Sequence, residues 1–186
     1  VVLQWVTDNE LKDLIALDIG TGSGAIALSL VHEGPFSRVV ATDTSRVALE
    51  VATRNSLMSG LSDRVDFRFG EYYDPLTAGE TFEVIASNPP YVADGEAQHL
   101  DPEIREWEPG AALYAGPDGL AALRRIATGA APYLKPGGLL ALEVGLGQAA
   151  YIMELLENTG EFVTVRVRRD LSGRERIVLA HRVMND

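Results

Sequence analysis

The chain has 186 residues, 46% of them hydrophobic and 23% charged, with a formal net charge of −11 and no cysteine. That length suits one domain with a sizeable core and is short for two. The composition excludes disulfides and thiolate metal sites, and the scattered His32, His99 and His181 give no ligand pattern, so no metal is expected.

The acidic balance argues against a broad phosphate-gripping face, because neutralising phosphates supplies most nucleic-acid affinity. Direct nucleic-acid binding is therefore not expected, although Arg166, Arg168, Arg169 and Arg174 could form a local patch. No run approaches the ~18 apolar residues of a membrane span. No charged-then-apolar leader opens the sequence, so the expected compartment is the cytoplasm, with no membrane partner.

Residues 1–13 read as the end of a helix, with Val2, Trp5 and Val6 on one side and a polar exit through Asp8, Asn9 and Glu10. Residues 15–19 form a short apolar run that stops at Gly20, as a buried strand does. After the turn Gly20-Thr21-Gly22-Ser23-Gly24, residues 25–32 are helix-compatible, and 38–43 make a second strand ending in Asp43. Ser45 can cap a helix carrying Val47, Ala48, Val51, Ala52 and Met58, closed by Gly60. Residues 65–69 and 82–87 are the third and fourth strands, and the fourth runs into Asn88-Pro89-Pro90-Tyr91.

Residues 92–117 lack periodicity, and a loop of that length in a small domain is usually functional or disordered. Leu120, Leu123, Ala127, Ala130 and Leu134 restore a helix, followed by a turn at 135–138, a fifth strand over 139–144 and a helix over 148–158. The last two strands, 162–168 and 177–180, meet through Ser172-Gly173 as an antiparallel hairpin. Strand and helix alternating with short links imply an α/β fold, a doubly wound and mostly parallel sheet with helices on both faces.

Two turns carry the chemistry. Gly20, Gly22 and Gly24 follow a strand and open a helix, so a ligand can approach the helix N-terminus closely. Gly20, Gly22 and Ala25 also satisfy the loose dinucleotide pattern, with Asp43 placed to hold a ribose. A nucleoside-containing cofactor is expected, and these residues leave open which one. Glu71 can accept from an adenine amino group while Tyr72 covers the ring, a solvated acid and a half-buried tyrosine being the plainer alternative.

At the second turn Pro90 has no backbone N–H, and each proline pushes the residue before it towards extended geometry. Asn88 and the Pro89 carbonyl can each accept one N–H of a planar amide or aromatic amine, and Tyr91 can stack on the flat group. A methyl group on a sulfonium would then lie in line for displacement without a strong base. A rigid turn in which Asn88 bonds its own backbone is the plainer alternative. An NAD-dependent oxidoreductase has no need of such a clamp and would need a proton donor at the hydride site, which the sequence does not offer.

Residues 17–24 together with Asn88-Pro89-Pro90-Tyr91 resemble class I methyltransferases that use S-adenosylmethionine on a nitrogen. The closer resemblance is to the protein-(glutamine-N5) methyltransferase family acting on peptide chain release factors. It is supported by residues 108–115 (Glu-Pro-Gly-Ala-Ala-Leu-Tyr-Ala), 143–145 (Glu-Val-Gly) and 169–176 (Arg-Asp-Leu-Ser-Gly-Arg-Glu-Arg).

The resemblance implies a seven-stranded Rossmann-like sheet with the last strand antiparallel between the fifth and sixth. It also implies one catalytic domain over 1–186, with 1–13 ending a connecting helix and a preceding helical domain lying outside this sequence. Gly20, Thr21, Gly22, Ser23 and Gly24 would line the methionine end of the cofactor, Asp43 the ribose, and Glu71 and Tyr72 the adenine. Glu71 and Tyr72 stand where aspartate and tryptophan are the family's expectation. Asn88, Pro89, Pro90 and Tyr91 would bind the acceptor, the glutamine of a Gly-Gly-Gln loop in a release factor, with Asn88 also beside the cofactor. Adenine-N6 methylation of DNA or RNA is the rival within the same chemistry.

Overall fold

The computed structural model describes residues 1–95 and 115–184. Its elements are α1 (Val2–Asp8), β1 (Leu14–Ile19), α2 (Ala25–Glu33), β2 (Phe36–Asp43), α3 (Arg46–Met58), β3 (Val65–Phe69) and β4 (Phe82–Ser87), then α4 (Ala121–Gly129), β5 (Leu134–Glu143), α5 (Ala149–Asn158), β6 (Phe162–Arg169) and β7 (Glu175–Arg182). The strands form one seven-stranded sheet in the order β3-β2-β1-β4-β5-β7-β6. β1 to β5 pair in parallel, and β7 lies antiparallel between β5 and β6.

Alternation along the strands feeds two cores. Leu17, Ile19, Ile85, Leu140, Leu142, Val178 and Ala180 pack beneath α4 and α5, where Leu123, Ile126, Ile152 and Leu156 are fully buried. Ala16, Val39, Ala41, Val84, Leu139 and Leu179 face the other way, against Val6 of α1 and Ala27, Leu30 and Val31 of α2. Nearly continuous apolar strands are what a parallel sheet buried on both faces requires.

Three expected boundaries are corrected. The first helix ends at Asp8, not at residue 13. The Asn9 side chain and backbone N–H both donate to the Trp5 carbonyl, and Glu10 turns left-handed at φ 52°, which stops the helix.

The α4 helix ends at Gly129, and Leu134 begins β5 instead of closing the helix. Pro132 has no N–H to continue the helical ladder, and residues 131–133 tighten into a 3₁₀ turn. The expected turn at 135–138 is a bulge inside β5: Phe82 pairs with Leu134 and Val84 with Leu139, so four residues of β5 stand against one of β4. Pro136 cannot donate to that ladder, and Lys135 at the bulge forms an ion pair with Glu83.

Of the long loop expected over 92–117, the described ends are tied together. Ala115 N–H donates to the Val92 carbonyl at 2.9 Å and Asp94 N–H to the Gly116 carbonyl at 3.0 Å. Residues 108–114 and His99 lie outside the described residues.

Candidate active site

The strand order reverses between β1 and β4, the point where open α/β sheets bind ligands. Ile19 pairs with Ser87, so the two signal turns, beginning at Gly20 and Asn88, leave neighbouring strands side by side. The Ser87 hydroxyl, buried at 3% exposure, donates to the Ile19 carbonyl at 2.7 Å and joins the two strand ends. A cleft of about 930 Å³ opens there.

The glycine turn is shaped by what lies beneath it. Gly20 and Thr21 N–H groups both donate to the Thr42 carbonyl, at 2.8 and 3.0 Å. Gly22 has φ 56° and its N–H donates to Asp43 Oδ2 at 2.8 Å, while Asp43 Oδ1 accepts from Ser45 N–H at 2.8 Å. Gly24, at φ 83°, is the N-cap of α2 and brings that helix against Ala52 of α3.

Gly20, Gly22, Ser23 and Asp43 line the cleft. Thr21 is turned inward: it is 6% exposed and donates to Asp18 Oδ2 at 2.6 Å.

Glu71 and Tyr72 form another wall of the cleft. Tyr72 holds a left-handed backbone at φ 46°, and its carbonyl accepts from the Thr42 hydroxyl at 3.1 Å. Burial pushes its phenol pKa up, the Glu71 charge adds to the rise, and Arg125 opposes it.

Asn88 is exposed to the cleft, Pro89 is buried and Pro90 half-buried, and all three line it. Among the described residues the Asn88 side-chain amide makes no hydrogen bond, unlike the plainer alternative in which it bonds its own backbone. Tyr91 stands just outside the lining, its ring centroid 5.9 Å from the Arg176 guanidinium. Val47 and Val51 of α3 and Ala122 and Ile126 of α4 supply apolar walls.

Besides Ser87, three positions that sequence reasoning did not single out shape this site. Asp18 is wholly buried and its Oδ2 accepts from the Thr21 hydroxyl and Ala27 N–H, while Oδ1 has no partner among the described residues. Burial pushes its carboxyl up to about 6, against the pull of those two bonds, and the nearby Asp43 charge adds to the rise. A charge inside an apolar strand, Leu17-Asp18-Ile19, was the signal that could have found it.

Thr42 has no such signal, being one more β-branched residue in a strand. Arg68 braces the β3–β4 connection that carries Glu71 and Tyr72. It grips Glu80 with two bonds of 2.7 and 2.8 Å, and it reaches Asp66 and the Pro75 carbonyl. Those Arg68 bonds hold the Glu80 carboxyl down to about 2 against desolvation.

Among the described residues no helix is long and apolar enough to cross a membrane. The methyltransferase small domain family model matches residues 2–103. The release factor glutamine methyltransferase of Cereibacter sphaeroides is 44% identical over 164 residues, covering 88% of this chain and 58% of the relative. That of Xylella fastidiosa strain Temecula1 is 46% identical over 162 residues, covering 87% and 58%. That of Clostridium acetobutylicum is 38% identical over 182 residues, covering 97% and 63%. The chain thus spans under two thirds of the length of these curated relatives.

In fold, it is similar to a methyltransferase from Pyrococcus furiosus, with TM-score 0.70 and 19% identity over 98% of this chain and 83% of that one. It is also similar to TrmN from Thermus thermophilus, with TM-score 0.65 and 23% identity over 97% and 47% of the two chains. The seven-stranded sheet, the paired turns at its switch point and these matches agree: the chain belongs to the methyltransferase small domain family.

Proposed function

We propose that the cleft binds S-adenosylmethionine and that the Asn88 turn holds the side-chain amide of a glutamine, methylated on its N5 nitrogen, in a peptide chain release factor. The observation that carries this reading is the Ile19–Ser87 register, which brings the glycine turn and the Asn88 turn to one cleft. Similarity to release factor glutamine methyltransferases supplies the acceptor.

The residues present fit the cofactor. The cleft's volume lies in the usual range of ~300–1,000 Å³ for small-molecule sites. Asp43 keeps lone pairs for ribose hydroxyls, and Tyr72 with Ile126 offers apolar surface to a purine. The buried Asp18 and the nearby Asp43 put negative charge behind the glycine turn. That favours a ligand with a cationic end at the turn. Bound there, S-adenosylmethionine supplies a methyl group on a positively charged sulfur that leaves as a neutral thioether.

The chain's own part is positioning. An amide nitrogen is a weak nucleophile because its lone pair is delocalised. Asn88 Oδ1 and the Pro89 carbonyl accept its two N–H groups, fix its direction and favour the pyramidal form. The proton shed on transfer passes to water, so no strong base is needed. Buried Pro89 and the Ser87–Ile19 bond keep the turn from relaxing, which is how orientation lowers the barrier.

Residues 1–186 supply the catalytic domain for this activity, which takes place in the cytoplasm.

The test offers labelled S-adenosylmethionine to the full-length protein with release factors, tRNA and DNA side by side. Methyl transfer to release-factor glutamine is expected. Asn88→Ala should lower it by about 100-fold or more while leaving cofactor affinity within about threefold. Transfer to adenine in DNA or RNA alone, or undiminished transfer in Asn88→Ala, would overturn the reading.

A further inference from the structure

A side chain outside the Asn88 turn reaches the turn's downstream end. Gln148, half-buried at the N-cap of α5, uses both of its N–H donors and its carbonyl oxygen. Nε2 donates to the Tyr91 carbonyl at 2.9 Å and to the Gly119 carbonyl at 3.2 Å, and Oε1 accepts from Gly145 N–H at 2.9 Å. Three segments far apart in sequence meet there: the acceptor turn, the approach to α4, and the link from β5 to α5.

The packing leaves no slack. A Cβ on Gly119 would stand 2.5 Å from the Tyr91 carbonyl oxygen, and one on Gly145 would stand 2.9 Å from Gln148 Oε1 and 3.1 Å from Tyr91 Cδ2.

We propose that Gln148 is a positioning residue for methyl transfer, fixing the Tyr91 backbone so that the Pro89 carbonyl and Asn88 amide keep their spacing. This deepens the methyl-transfer reading and rests on it. The upstream end of the turn is fixed by β4 and by the Ser87–Ile19 bond. Between the two ends stand Pro89 and Pro90, whose fixed φ angles transmit a displacement of Tyr91 instead of absorbing it.

Only an amide of this length meets the site's demand for two donors towards two carbonyls and one acceptor towards an N–H. Asparagine is a methylene short. Glutamate sets a carboxylate against two carbonyl oxygens.

The experiment compares Gln148→Ala and Gln148→Glu with wild type in the full-length protein, measuring kcat and KM for cofactor and release factor, and amide exchange without substrate. Gln148→Ala is expected to lose about 10- to 100-fold in kcat with cofactor KM within about twofold, since a small misplacement of reacting groups is costly. Gln148→Glu should be at least as impaired near neutral pH. It should recover relative to wild type as pH falls, because a protonated carboxyl regains one donor; a loss of stability alone gives neither signature.

Unchanged kcat in Gln148→Ala, or an equal fall in cofactor affinity, overturns the proposal. If wild type methylates no release factor, the functional reading fails by itself, and exchange decides the anchoring. Gly145 N–H should exchange about tenfold or more faster in Gln148→Ala, and an unchanged rate overturns the proposal.

Discussion

Gly24→Ala separates the roles of the three glycines in the turn. Gly24 sits at φ 83°, and an added Cβ would meet Ala52 Cβ at 3.2 Å, Leu28 Cδ1 at 3.4 Å and Ala52 Cα at 3.5 Å. Gly22, at φ 56°, has nothing within 4 Å of the same atom. Left-handed backbone costs an L-residue about 1–2 kcal/mol at either position. The tight contact at Gly24 adds about 1 kcal/mol, the lower end of what overpacking costs.

Gly24→Ala should therefore destabilise by about 2–3 kcal/mol and Gly22→Ala by about 1–2 kcal/mol. Both replacements also restrict the unfolded chain alike, so the difference of about 1 kcal/mol is the sharper quantity.

The assay is urea denaturation at equilibrium, with Ala52→Gly completing a double-mutant cycle. Removing the Ala52 methyl should restore about 1 kcal/mol specifically to Gly24→Ala and nothing to Gly22→Ala. Equal losses at the two glycines, or no coupling to Ala52, would refute the claim that Gly24 is there for helix packing as well as for its backbone.

The remaining predictions concern charged groups beneath and beside the site. The Asp18 carboxyl is raised in the folded state, from 3.8 to about 6. The native chain therefore takes up this proton before the unfolded chain does. Stability from this group is fully present below about pH 3.8 and lost as pH rises through about 6, a span of roughly 3 kcal/mol. Urea titrations at several pH values should show wild type gaining on Asp18→Asn between pH 7.5 and 4.5, and parallel curves would refute it. Arg68→Met leaves Glu80 without its cation, while Asp66 keeps Arg38, and should cost about 1–3 kcal/mol by urea denaturation. It should also weaken cofactor binding several-fold in calorimetry through the Glu71–Tyr72 wall, and unchanged affinity would detach the brace from the site.

Local sequence alone determined the alternation of strand and helix, both glycine-rich and proline-rich turns, and Asp43 at the end of β2. Each depends on propensities and steric limits acting over a few neighbouring residues. It misjudged the end of α1 and the bulge at 135–138. Capping by the Asn9 side chain overrode apolar periodicity in the first, and pairing of Phe82 and Val84 with a longer β5 overrode Pro-Gly turn chemistry in the second.

Tertiary structure alone decided that the two turns share one cleft. Ser87 and Ile19 are 68 positions apart, and their pairing is selected by how all seven strands bury both faces of the sheet at once. The same holds for Thr42, Arg68 and Gln148. Each is an ordinary residue in its own stretch, and its role comes from carbonyls, amides and charges that only the closed sheet brings within bonding distance.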